Sequence, residues 1–133
     1  MSENHYTVKH VEWSAPEADE ARRIRMEVFV DEQKVPAELE LDSTDPSAHH
    51  VIAWDREGRA CGTARMFPAA EDPGCARIGR MAVVRSARGT GCGSAMLQAL
   101  IEEARRQGYR LITLSAQTHA VPFYVRHGFV AEG

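Results

Sequence analysis

The residues most able to do chemistry lie in one short run, Arg88-Gly-Thr-Gly-Cys-Gly-Ser94. Glycines 89, 91 and 93 occupy every second position, and helix-forming sequence follows in SAMLQALIEEARRQG. Ordering glycine costs conformational entropy, so this density implies a demand on the backbone itself. The first amides of a helix lack internal partners and sit at the positive end of its dipole. Positions without side chains let an anion reach those amides. The run is therefore, in principle, a cradle for phosphate. It is not a Walker loop, because no lysine precedes Ser94. Nor is it a dinucleotide fingerprint, which would place a glycine at 94 and a doubly wound sheet around it. The pattern that fits is R-x-x-G-x-G, formed by Arg88, Gly91 and Gly93.

Other reactive side chains are spread along the chain. His49 and His50 invite a metal reading, but neighbours on a strand point to opposite faces, so no metal site is expected. Cys61, Cys75 and Cys92 are odd in number, widely spaced and without a C-x-x-C pair. They fit reduced thiols of a cytoplasmic protein better than a disulfide frame or a zinc site. Cys92 sits where a helix terminus could lower its pKa, although a buried, inert thiol is the expected state.

These residues need elements to hold them. Residues 5–13 alternate as a first strand. Ser14, Pro16 and Glu17 read as a capping box opening a helix to about Val30, with Ala18, Ala21, Ile24/Arg25 and Val28 on one face. Residues 31–47 read as an acidic loop with one short helical turn. Residues 50–55 and 60–67 form a hairpin turning at Gly58, 68–74 a loop, and 75–84 a strand whose MAVV run suggests burial on both faces. Helix 94–108 follows, with Met96/Leu97, Leu100/Ile101 and Ala104 at helical spacing and Gly108 placed to end it. Then come a strand at 109–117, a short helix at 120–127 ended by Gly128, and a final strand beginning at 129.

With 133 residues and no linker or repeat, the chain is expected to form one domain, 1–133. No apolar run approaches the roughly 18 residues of a membrane span, and the N-terminus lacks a secretion signal. The net charge of −3 argues against a nucleic-acid partner. Acids gather in residues 1–58, while Arg77, Arg80, Arg85 and Arg88 surround the glycine run, so a local anionic ligand is expected.

Two blocks, IGRMAVVRSARGTGCGSAMLQAL and LSAQTHAVPFYVRHGF, resemble the core motifs of the GNAT superfamily of N-acetyltransferases. VFVDEQKVPAELELDSTD, a following His, G-T-A-R and S-A-Q are similar to its ElaA-like branch. The resemblance implies an α/β (α+β) fold: a mixed, mostly antiparallel sheet, splayed at the two parallel strands after the third hairpin strand and flanked by helices. It implies acetyl-CoA as donor and a small-molecule or peptide amine as acceptor. On this mapping Met81, Ala82 and Val83 line the pantetheine arm, with Ala82 and Val83 as its main backbone partners. The amides of Arg88, Gly89, Thr90, Gly91, Cys92, Gly93 and Ser94 hold the diphosphate. Gln117 falls where many relatives contact the cofactor, a solvent-facing strand end being the other reading. Tyr124 matches the tyrosine near the thioester sulfur and is the expected general acid, and the Val83 amide is the expected oxyanion donor.

The base stays open among Glu32, Asp42, Asp45 and His49. Where some relatives carry a glutamate, this sequence has Arg77-Ile-Gly-Arg80, and arginine cannot accept a proton at neutral pH. The acidic loop suggests a cationic acceptor, or else only a solvated face. The sequence ends soon after the G-F motif, where relatives continue through a hairpin, so a short or missing last strand is expected: either the rest of the tail lies outside this sequence, or a neighbouring copy covers the edge as a homodimer. A catalytically silent acyl-CoA sensor of the same fold is the alternative function, and a nucleotide-phosphate binder a third.

Overall fold

Strand alternation sets the layers of this protein. The computed structural model describes residues 5–40, 42, 44–115 and 120–131. Strands β1 (Thr7–Val11), β2 (His49–Trp54), β3 (Ala60–Ala69), β4 (Asp72–Val83) and β5 (Leu111–Leu114) form one sheet in chain order. The first three pairings are antiparallel and the β4–β5 pairing is parallel. Helices flank the sheet: α1 (Ala18–Arg25), continued as a π-helical segment Met26–Glu32, then α2 (Ala37–Glu40), α3 (Cys92–Arg106) and α4 (Val121–Arg126). This is the mixed, mostly antiparallel architecture that the element order predicts.

Alternate strand residues face opposite layers. Val51, Ala64, Met66, Ala76 and Ile78 pack against Met96, Leu97 and Leu100 of α3. Ile52, Ala60 and Ala82 pack against Ala18, Ala21, Ile24 and Val28 on the other face. The apolar stripes expected on both helices are the buried ones, except that Ile101 is only half-buried at the edge of the α3 stripe. Each fully buried leucine of α3 contributes roughly 1.5–3 kcal/mol by leaving water.

Several boundaries differ from the sequence reading. α1 starts at Ala18, not Ser14, and its N-cap Glu17 makes no side-chain cap. The helix also loosens into π geometry from Met26, a change that periodicity does not reveal. The expected loop 68–74 is only a turn at 70–71, because β3 runs through Pro68 and β4 begins before Pro73. Residues 129–131 are not in a strand, while 132 and 133 lie outside the described residues. In the MAVV run only Ala82 is buried; Met81, Val83 and Val84 are half-buried, because this end of β4 has β3 on one side only.

That one-sidedness sets up the site. The β4–β5 ladder runs from Cys75↔Leu111 to Ile78↔Leu114, yet β4 goes on to Val83. Opposite β3, the register slips between Thr63↔Ala82 and Arg65↔Gly79, so β4 carries one extra residue there. The extra residue falls at Arg80 and Met81, and Arg80 adopts φ 51°, in the left-handed region. Such a bulge bends the strand and sharpens its twist.

Candidate active site

β4 presents a backbone edge beyond its last pair with β5. The Val84 amide donates to the Cys61 carbonyl at 2.9 Å, which turns this residue toward β3. Antiparallel alternation then turns the amide and carbonyl of Val83 to the other side. The Val83 carbonyl does point there, since it accepts from Arg88 Nε at 3.0 Å. By the same alternation Ala82 faces β3, so of the residues expected to line the cofactor arm Val83 offers the outward edge. Arg80 and Met81 have no Cα partner in the β3 ladder.

The glycine run follows a 3-10 turn at Arg85–Ala87. Gly89 (φ 77°) and Gly91 (φ 93°) are left-handed, and Gly91 caps α3. A Cβ on either glycine would meet nothing within 4 Å, so the surface above them is open. The first intrahelical bond of α3 is Ala95 N–H to the Gly91 carbonyl, at 3.0 Å. Among the described residues, no backbone carbonyl accepts from the amides of residues 89–94. Thr90 is fixed from behind: its hydroxyl donates to the Ala87 carbonyl and lies 2.5 Å from the Tyr6 hydroxyl. The loop thus shows bare, oriented donors at a helix start, which is what a diphosphate requires.

Two packing contacts frame this cradle. A Cβ on Gly62 would lie 2.8 Å from both Cys92 Sγ and Met96 Cε, so the glycine of the G-T-A-R segment lets α3 sit directly on β3. Burial pushes the Cys92 thiol up to about 12, which makes it the inert thiol expected. On the far side, the ring of Phe123 packs 3.4 Å from where a Gly93 Cβ would be. α4 therefore stands beside the cradle, and its Tyr124 hydroxyl lies 3.7 Å from Met81 Sδ. Burial raises the Tyr124 pKa, so the phenol keeps its proton at neutral pH. Gln117 lies outside the described residues.

The four candidate bases separate clearly. Asp42 and Asp45 belong to an ion network joining α1, α2, β3 and the β4 bulge. Arg25, 1 % exposed, donates to Glu40 Oε1 at 2.5 Å and to Asp45 at 2.8 and 3.1 Å. Arg65 donates to both Asp42 oxygens, at 2.7 and 2.9 Å, and to Asp45 at 2.7 Å. Arg80 reaches the Glu40 carbonyl at 3.2 Å and Asp42 at 3.4 Å. The hydrogen bond from Arg65 draws the Asp42 carboxyl down to about 2. Burial pushes Asp45 up, but the bonds and charge of Arg25, the Asp42 amide and Arg65 together outweigh that and lower it. Both are poor proton acceptors. Three acids of the loop, Glu40, Asp42 and Asp45, are paired with Arg25, Arg65 and Arg80.

His49 stacks on His10 at 4.2 Å and feels the charges of Glu103 and Arg106, at the end of α3 remote from the cradle. Eleven residues of helix separate Cys92 from Glu103, roughly 16 Å. His50 lies on the opposite face, stacked on Trp13 at 4.3 Å, as strand alternation demands. Among the described residues no cluster could hold a metal ion. Glu32 alone stands at the open edge. It accepts from Arg88 at 2.8 Å and lies 3.5 Å from Arg85, and the Arg88 hydrogen bond holds its carboxyl below the usual range. The network and the Glu32–Arg88 pair had no periodic signal in the sequence. Only the clustering of acids and arginines hinted at them.

A hollow of about 840 Å³ lies between α1, the β2–β3 turn and the 3-10 turn, and includes Glu20, Arg23, Cys61 and Ala87. The residues of the cradle, 88–94, do not line it.

Comparison with known proteins agrees with this geometry. The acetyltransferase (GNAT) family matches residues 9–129. The chain is 38% identical over 106 residues to the uncharacterized N-acetyltransferase YjcF of Bacillus subtilis, covering 80% of this chain and 73% of that one. An acyl-CoA N-acyltransferase from Pseudomonas aeruginosa superposes with a TM-score of 0.79 at 34% identity, covering 96% of this chain and 88% of the other. Escherichia coli ElaA superposes with a TM-score of 0.80 at 26% identity, covering 94% and 86%.

Proposed function

The chain belongs to the GNAT family of acetyltransferases, and from that premise we propose that it transfers an acetyl group from acetyl-CoA to a primary amine within one ternary complex. The observation carrying this reading is the joint presence of a bare-amide cradle at residues 89–94 and an outward backbone edge at Val83, both beside Tyr124. Acetyl-CoA, when bound, supplies an activated acyl carbonyl and a sulfur leaving group. The amides of residues 88–94 are the donors suited to its diphosphate. The outward edge of β4, from Met81 to Val83, pairs with the amide-bearing arm in the manner of an added strand.

The protein's own groups then have distinct tasks. The Val83 amide, turned to the outward edge, is the donor suited to the acyl oxygen as it gains charge, and a fixed donor costs no reorganisation as that charge grows. Tyr124 holds a proton at neutral pH and hands it to the departing sulfur. Its contact with Met81 holds the phenol beside the bulge, within reach of a thioester bound along β4. Glu32, the candidate base at the open edge, takes the amine proton through water once Arg88 turns to phosphate. Holding both reactants along β4 removes much of the entropic barrier.

Two measurements test this. Acetyl-CoA, but not ATP, should raise the melting temperature, because a ligand of the folded state stabilises it. Free thiol should then appear with a panel of amines. Stabilisation without thiol release across the panel would favour a silent sensor.

A further inference from the structure

The sheet face of β4 opposite α3 carries an arginine with no carboxylate partner among the described residues. Ala76, Ile78, Met81, Val83, Ile112 and Leu114 all pack in the α3-side core, together with Tyr124. That side is filled. Arg77 lies between Ala76 and Ile78, and Thr113 between Ile112 and Leu114, so both project from the opposite face. They are register partners across the parallel ladder. Arg65 and Phe67 on β3 share that face, and Phe67 is opposite Arg77 in the register.

The charges on this face can be counted. Glu40, Asp42 and Asp45 are paired with Arg25, Arg65 and Arg80. Arg77 has no such partner: among the described residues its guanidinium meets only the Ser115 hydroxyl, at 3.1 Å. It is half-buried, and a guanidinium in a partly dry setting gains most from a carboxylate or phosphate that takes two of its donors. At the other end of the open stretch of β4 stands Glu32, a carboxylate. Arg77 and Glu32 thus flank the acyl position with opposite charges. Arg77 is four residues before Met81, at most about 13 Å along the strand.

The geometry points to an acceptor that carries its own carboxylate or phosphate, gripped by Arg77 with the hydroxyls of Ser115 and Thr113 in reach, and its amine turned toward Glu32. This rests on the acyltransferase reading and adds the class of amine to it. It differs from the cationic acceptor that the acidic loop suggests, and the same assays compare the two.

The test compares matched amines: 6-aminohexanoate against hexylamine for the carboxylate, O-phosphoethanolamine against ethanolamine for the phosphate. Thiol release from acetyl-CoA is followed for the wild type, Arg77→Gln and Arg77→Lys, with Arg105→Gln on the exposed face of α3 as control. At least one anionic amine should exceed its neutral twin by 10-fold or more in kcat/KM. Arg77→Gln should bring that ratio close to one through KM, and Arg77→Lys should restore part of it. The pair that shows the effect tells carboxylate from phosphate. Melting temperatures are recorded with each amine, with and without acetyl-CoA, so binding is read even where no thiol appears. Equal ratios in the wild type and Arg77→Gln would overturn the proposal. So would equal stabilisation of both proteins by the anionic amines. Failure of acetyl-CoA to stabilise the wild type would instead strike the acyltransferase reading.

Discussion

The Tyr124 hydroxyl lies 3.7 Å from Met81 Sδ, so helix α4 is tied to the bulge of β4 through a proton donor and a weak acceptor. A phenol spending its hydrogen on a thioether has little to lose when a better acceptor arrives. Tyr124→Phe should therefore keep the melting temperature within about 2 °C and the affinity for acetyl-CoA within about 2-fold, while kcat falls roughly 100-fold or more. An unchanged kcat would remove Tyr124 as the acid.

Glu32 and Arg88 predict opposite signs in two measurements. In the free protein Glu32 occupies the arginine that leads the glycine run. Glu32→Gln should release Arg88 and tighten coenzyme A binding by roughly 2–5-fold, as expected for an exposed pair. The same change should lower kcat if Glu32 accepts the amine proton. Calorimetry with coenzyme A and steady-state rates check the two independently.

Gly91 is required by its backbone, at φ 93°, and by its bareness. Gly91→Ala should cost more than about 1 kcal/mol, because alanine is strained in the left-handed region. It should also weaken coenzyme A binding 10-fold or more, since a methyl group would stand over the amides. Gly58→Ala, at φ 81° in the β2–β3 turn, should share the stability loss without the binding loss.

The ion network should be costly to break from one side. Asp45 is 1 % exposed and serves both Arg25 and Arg65. Asp45→Ala should destabilise the fold by about 3–5 kcal/mol, because two buried cations lose a partner. Arg59→Ala, which removes the 73 % exposed partner of Asp55, should cost less than about 1 kcal/mol. Urea denaturation of both variants provides the comparison.

Acid should weaken the same network. The Asp42 carboxyl is drawn to about 2 from an ordinary value of 3.8. A depressed carboxyl contributes stability that is complete above its unfolded pKa and is lost as pH falls through its folded pKa. The gap in stability between wild type and Asp42→Asn should thus be constant from pH 7 to 5, shrink below pH 4 and close near pH 2. Its plateau should be only about 1 kcal/mol, since Asp42 is 35 % exposed and screened by solvent. A gap that does not change with pH would contradict the pairing.

The sequence made the strand order, the stripe of α3 and the cradle legible because each is a local pattern. Met96, Leu97 and Leu100 recur at helical spacing, and Gly89 and Gly91 sit where left-handed backbone is needed. The pairs around the candidate bases were not legible. Arg25 lies on the apolar face of α1, where periodicity marks a core position, and only the fold shows that Glu40 and Asp45 meet it there. The bulge at Arg80 was hidden too, since arginine carries no turn signal. Its φ of 51° comes from a register slip between two strands, which no single segment encodes. The Ser14 capping box failed for the converse reason: a good local motif was overridden by the turn at residues 13–17.

All three cysteines are buried, with Cys92 wedged between Gly62 and the first turn of α3. Burial likewise raises the Cys61 thiol. A colorimetric disulfide reagent will therefore meet almost no nucleophilic sulfur on the native protein. The colour it develops can be assigned to liberated coenzyme, and turnover can be followed continuously without blocking or mutating the enzyme.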